Sequence, residues 1–129
     1  MYSISQEEFE TLVGDAIDAL PPQLNKHLQN VVFIVEDEPT HEQRIKLKLG
    51  PYQTLFGLYE GVPLVRRNGN SAMLLPDKIT LFKTPLEHSS NSMEDLAEHV
   101  HRTVWHEVAH YYGLDHEKIE AIEKEQAEK

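Results

Sequence analysis

The sequence predicts an α+β domain, and three observations carry that prediction. A capping signal at Ser5 opens a helical-period run of apolar residues, the middle of the chain bunches or alternates apolar residues as strands do, and a second capping signal at Ser92 opens about twenty residues of helical pattern that stop at Gly113. A chain of 129 residues suits one domain over 1–129, a length that buries roughly two thirds of the surface its unfolded form exposes. The expected arrangement is a sheet with the long C-terminal helix laid against it.

Ser5 and Glu8 form a capping box, and Phe9, Leu12, Val13, Ala16, Ile17 and Leu20 follow at helical spacing. Pro21 and Pro22 stop this helix, because the residue before a proline is pushed out of helical geometry. Residues 23–28 can hold one helical turn. The run Val-Val-Phe-Ile-Val at 31–35 is apolar and β-branched and reads as a strand buried on both faces, closed by Glu36, Asp37, Glu38 and Pro39. Three adjacent carboxylates suit a solvated strand exit better than a cation site. Ile45, Leu47 and Leu49 alternate with lysines, the period of a half-buried strand broken by Gly50 and Pro51. Residues 55–59 form the next candidate strand. Asn68, Gly69 and Asn70 give a turn signal that would pair 62–66 with 72–75 as a hairpin, with Arg66 and Arg67 serving solubility at its end. Residues 78–82 make the last strand, and Pro85 with the serine-rich stretch 89–92 makes the crossing to the long helix.

That helix would be roughly 30 Å long. Met93, Ala97, Val100, Val104, Val108 and Tyr112 share a broad apolar arc, with His99, Thr103, His106 and His110 on the opposite one, so the buried arc and the metal arc are expected to be separate. Trp105 and Tyr112 read as core. The chemistry sits at His106-Glu107-x-x-His110-x-x-Gly113-x-x-His116. Residues four apart are neighbours on one helix face, so His106 and His110 can direct imidazole nitrogens at one ion. Glu107 falls beside that face, about 100° round from His106, where it would miss the metal but reach a water bound to it. Gly113 supplies the left-handed residue that lets the helix end and the chain turn back, bringing His116 in as a third ligand. Three imidazoles leave a fourth position open on Zn²⁺, the arrangement of a catalytic site, where bound water drops to a pKa of about 7. Asp115 either caps a following short helix or is the third ligand in place of His116; the cap is favoured because imidazole is the more usual zinc ligand. His99 lies two turns from His106, about 10 Å along the axis, too far for the same ion, and is read as a solvated side chain before a substrate contact. His27, His41, His88 and His101 show no ligand spacing.

Composition narrows the function. The net charge of −10 argues against nucleic acid or an anionic membrane surface as the main partner. The absence of cysteine excludes disulfides and leaves histidine and carboxylate as the zinc donors. No apolar run approaches the roughly 20 residues of a membrane helix, and the N-terminus lacks a signal-peptide pattern, so the cytoplasm is the expected compartment.

The long histidine motif resembles that of the metzincin branch of the zincin metallopeptidases, and the whole chain resembles the small bacterial single-domain zincin-like metallopeptidases. The residues that carry this are Leu-Tyr-Glu-Gly-Val-Pro at 58–63, Leu-Pro-Asp-Lys-Ile-Thr at 75–80 and the stretch from Arg102 to His110. The resemblance implies a minimal zincin: a mixed sheet packed on an N-terminal helix and a long active-site helix, Zn²⁺ on His106, His110 and His116, Glu107 as general base, and peptide or protein substrates. It adds that a strand at 62–66 would be the edge that pairs with an extended peptide. One departure is plain: metzincins proper have a methionine turn beneath the metal, and the methionines here, Met1, Met73 and Met93, all precede His116. The pattern is also similar to that of the bacterial rRNA-maturation endoribonucleases, which hold metal at the same three positions but have glycine where this chain has Glu107. A metal-binding module without catalysis is the third reading.

Overall fold

The computed structural model describes residues 2–25, 28, 30–61 and 76–113. Ser5 opens α1 (Gln6–Asp18) through the expected capping box, its side chain accepting from Glu8 N while the Glu8 carboxylate takes the Ser5 N–H. After the proline stop come α2 (Pro22–Asn25) and β1 (Val31–Glu36). Then follow α3 (His41–Lys46), β2 (Gly57–Glu60), β3 (Asp77–Phe82), α4 (Lys83–His88) and α5 (Met93–Tyr111). The described strands form a mixed three-stranded sheet in the order β1-β3-β2, β1 running parallel to β3 and β2 antiparallel to it. This is the predicted α+β class.

The helices α1 and α5 pack against one another and against one face of the sheet. Phe9, Val13 and Ala16 of α1, Ile79 and Leu81 of β3, and Leu96, Val100, Val104 and Val108 of α5 are all buried there. Val31, Phe33 and Val35 of β1 and Tyr59 of β2 close the same cluster at its margins. Each fully buried side chain of Val or Leu size contributes about 1.5–3 kcal/mol, so this shared core is what fixes the axis of α5 relative to the sheet.

Several expectations are corrected. The strand buried on both faces is β3, which has a neighbour on either side; β1 pairs only with β3 among the described residues, and Val32 stands 43% exposed. The segment read as a strand through Ile45, Leu47 and Leu49 is α3 with its C-cap at Leu47. Thr40 and Gln43 form a reciprocal capping box there, which commits the backbone to a helix, and Ile45 at 64% exposure shows that the alternation marked no buried face. The crossing to the long helix contains α4. Pro85 sits in its first turn, where a missing N–H breaks no helical bond. At the start of α5 only half of the capping box forms: Ser92 accepts from Asp95 N, while the Asp95 carboxylate accepts from Asn91 N instead. The hairpin at 62–66 and 72–75, with Arg66 and Arg67, lies outside the described residues, as do His27 and everything after Gly113.

Candidate metal centre

The long helix α5 carries His106, Glu107 and His110, and it ends where the sequence predicted, with Gly113 in the left-handed region at φ 77°. His106 is half-buried, and His110 is the more open of the pair, its side chain 44% exposed. Glu107 is buried, at 9% exposure, where α5 passes beneath β2. One of its carboxylate oxygens lies 3.1 Å from His110 Nδ1. That hydrogen bond is the main reason His110 holds its proton above the ordinary value of 6.5; partial burial opposes the effect and the carboxylate charge adds to it.

The expected separation of the buried and metal arcs holds only in part. Thr103 and Glu107 are buried along with Leu96, Val100, Val104 and Val108, because β2 covers the part of the helix that the sequence places on or beside the metal arc. Met93, assigned to the buried arc, is 36% exposed. A helix with α1 on one side and a strand crossing on another has a buried surface wider than the apolar stripe its sequence shows.

His99 departs from the solvated reading. Its Nδ1 is 2.8 Å from the hydroxyl of Ser90, which is fully buried and gives its own proton to Leu86 O at 2.8 Å, so His99 is the donor in that pair. Its Nε2 faces Asp95 at 3.7 Å, and its ring lies 6.5 Å from that of Phe56 at an interplanar angle of 21°. His99 is therefore a fixed side chain on the same helix flank as the candidate ligands. Nothing in the local pattern announced this, because Ser90 belongs to a turn created by α4.

The donor chemistry fits a zinc ion. Two imidazoles one helical turn apart with a carboxylate beside them are hard and borderline donors of the kind Zn²⁺ takes, and the chain offers no thiol. Both candidates for the third ligand, His116 and Asp115, lie outside the described residues, and among the described residues no three histidine or carboxylate side chains gather closely enough to hold an ion by themselves.

A histidine pair and a buried glutamate on a helix that runs beneath a small mixed sheet define the zincin-like class. The chain belongs to the zincin-like metallopeptidase family, which it matches over residues 28–126. Membership makes it a metallopeptidase in general terms, a hydrolase of a class that binds zinc. The match begins after α1 and takes in the sheet and α5. No curated protein matches the chain. Among the described residues no helix is long and apolar enough to cross a membrane.

Proposed function

We propose that this chain hydrolyses peptide bonds with Zn²⁺ held by His106, His110 and His116 and with Glu107 as general base. The observation that carries the reading is the placement of Glu107, buried beneath β2 with its carboxylate on His110. A carboxylate on the open side of the helix would explore many rotamers; this one has its stem packed and its head directed to the candidate metal ligands. Zn²⁺ in such a site supplies a polarised carbonyl and a water acidified to a pKa of about 7.

The protein's own groups do the rest. With Nδ1 of His110 engaged by Glu107, Nε2 is the nitrogen through which His110 would bind the ion, and the carboxylate fixes the ring. With Nε2 given to the ion, His110 would be a neutral imidazole that keeps its Nδ1 bond to one carboxylate oxygen, and Glu107 would accept a proton from the attacking water. It then delivers that proton to the departing amine, the two transfers of general base and general acid in turn. An extended peptide is the substrate this arrangement suits, and residues 62–66, next along the chain from β2, are the segment proposed to pair with it.

The test is Glu107→Gln, which keeps the size and a hydrogen bond but cannot accept a proton. It should retain one zinc per chain by elemental analysis and lose about 10²–10⁴ in the rate of peptide cleavage. A peptide library and an RNA panel are run on both proteins at matched zinc content. Peptide cleavage that survives the substitution removes the mechanism. Cleavage of RNA alone points to the nuclease reading, and cleavage of neither by the unmutated protein points to a binding module.

A further inference from the structure

We propose that Gly57 is a positioning residue for Glu107: the missing side chain at this point of β2 lets the strand lie against α5 closely enough to hold the glutamate stem in place. The inference rests on the reading of Glu107 as the general base. A Cβ built on Gly57 would stand 2.7 Å from Thr103 Cγ2, 3.2 Å from Glu107 Cγ and 3.2 Å from the backbone oxygen of Thr80. Real Cβ atoms essentially never come within 3.0 Å of a heavy atom outside their own residue and its chain neighbours. The glycine is not there for backbone freedom. Gly61 and Gly113 are the described glycines with positive φ, and Gly57 is an ordinary strand residue in register with Leu81. Space alone requires it.

The contact lies on a continuous seam. Thr103, Glu107 and Tyr111 follow one another at four-residue spacing along α5, and β2 crosses them with Gly57 over the first two and Tyr59 over the third, where the tyrosine rings meet edge to face at 6.0 Å. Thr103 cannot easily turn aside. Its hydroxyl donates to His99 O at 2.8 Å, which fixes the side-chain torsion and presents the methyl group to the strand. A side chain at position 57 would therefore lift β2 away from Glu107, or turn Thr103 aside and still press on the Glu107 stem, and either response disturbs the seat of the glutamate.

The proposal separates two contacts that a purely structural glycine would not. Thr103→Ser removes the methyl at 2.7 Å and keeps the hydroxyl bond, but the contact at 3.2 Å to Glu107 Cγ stays. The probe is acetohydroxamic acid, which gives up a proton on binding zinc and binds more tightly where a carboxylate beside the metal can take that proton and keep the hydrogen bond. Its affinity for the zinc-loaded protein is measured by calorimetry, next to zinc content and Tm, for Gly57→Ala, Gly57→Ala/Thr103→Ser and Glu107→Gln. Loss of a charge-assisted hydrogen bond should weaken the probe roughly tenfold or more in Glu107→Gln. Gly57→Ala should lower Tm and weaken the probe severalfold with zinc content unchanged. Adding Thr103→Ser should restore Tm while the probe stays weak. Should Gly57→Ala fail to fold, the double variant, relieved of the harsher contact, carries the test. The proposal is overturned if the probe binds Gly57→Ala as it binds the unmutated protein, or if its affinity returns together with Tm in the double variant. Undiminished binding to Glu107→Gln would instead show that the general-base assignment had failed, and this inference would fall with it.

Discussion

Glu87 should be among the costliest single residues to remove, although it lies outside the candidate metal centre. It is 3% exposed on α4, and one of its carboxylate oxygens accepts both the Lys83 ammonium at 3.0 Å and the backbone N–H of Ile4 at 2.7 Å. Its backbone oxygen also accepts from Tyr2 N at 3.1 Å. The side chain thus clamps the segment that leads into α1, the helix that packs along α5. Glu87→Ala removes a charge-assisted bond to a backbone donor and leaves the Lys83 side chain, only 14% exposed, without its partner. Breaking a buried pair from one side costs about 3–5 kcal/mol, and the small exposure of Lys83 argues for the lower half of that range. In a domain of this size that is a fall in Tm of roughly 10–15 °C. Glu87→Gln keeps an acceptor for Ile4 and should cost about 1–2 kcal/mol. Urea and thermal melts on the two variants and on Glu87→Ala/Lys83→Met measure this, the double variant recovering part of the loss because no ammonium is stranded. A loss below about 1 kcal/mol for Glu87→Ala would refute the reasoning.

Zinc uptake by the metal-free protein should depend on pH through His110. Its folded pKa is raised above 6.5, so the stability its pairing with Glu107 gives is fully present below 6.5 and is lost as pH rises through the folded value. Metal needs the neutral imidazole, so affinity should climb over that same window, and Glu107→Gln should move the midpoint to lower pH; an unmoved midpoint in a pH series of zinc titrations counts against the pairing. Thr80 offers a contrasting case. It is fully buried on β3 with no partner for its hydroxyl among the described residues, so Thr80→Val should stabilise by about 1 kcal/mol in urea melts, and a loss of that size would mean the hydroxyl is satisfied.

What could be read from sequence was whatever local chemistry decides. Ser5 with Glu8, Ser92 and Gly113 mark helix ends through bonds made within a few residues, and the structure puts the ends of α1 and α5 there. The apolar, β-branched run that makes up most of β1 also favours a strand locally, but its pairing and its place at the margin of the described sheet depend on β3, far along the chain. Ile45, Leu47 and Leu49 imitate a strand because they alternate with polar residues, while the Thr40 and Gln43 cap decides for a helix. At the candidate centre, helical spacing was enough to put His106 and His110 on one helix a turn apart. The burial of Glu107, the anchoring of His99 on Ser90 and the pressure of β2 at Gly57 arise between elements distant in sequence, and no periodicity records them.

The most direct test of the central claim is a titration of metal-free protein with Zn²⁺ while peptide cleavage is followed. The account predicts no cleavage without metal, a rise that saturates at one equivalent per chain, and loss of both zinc binding and cleavage in His106→Ala and His110→Ala. Cleavage in the metal-free protein, or full zinc binding by the two histidine variants, would contradict it.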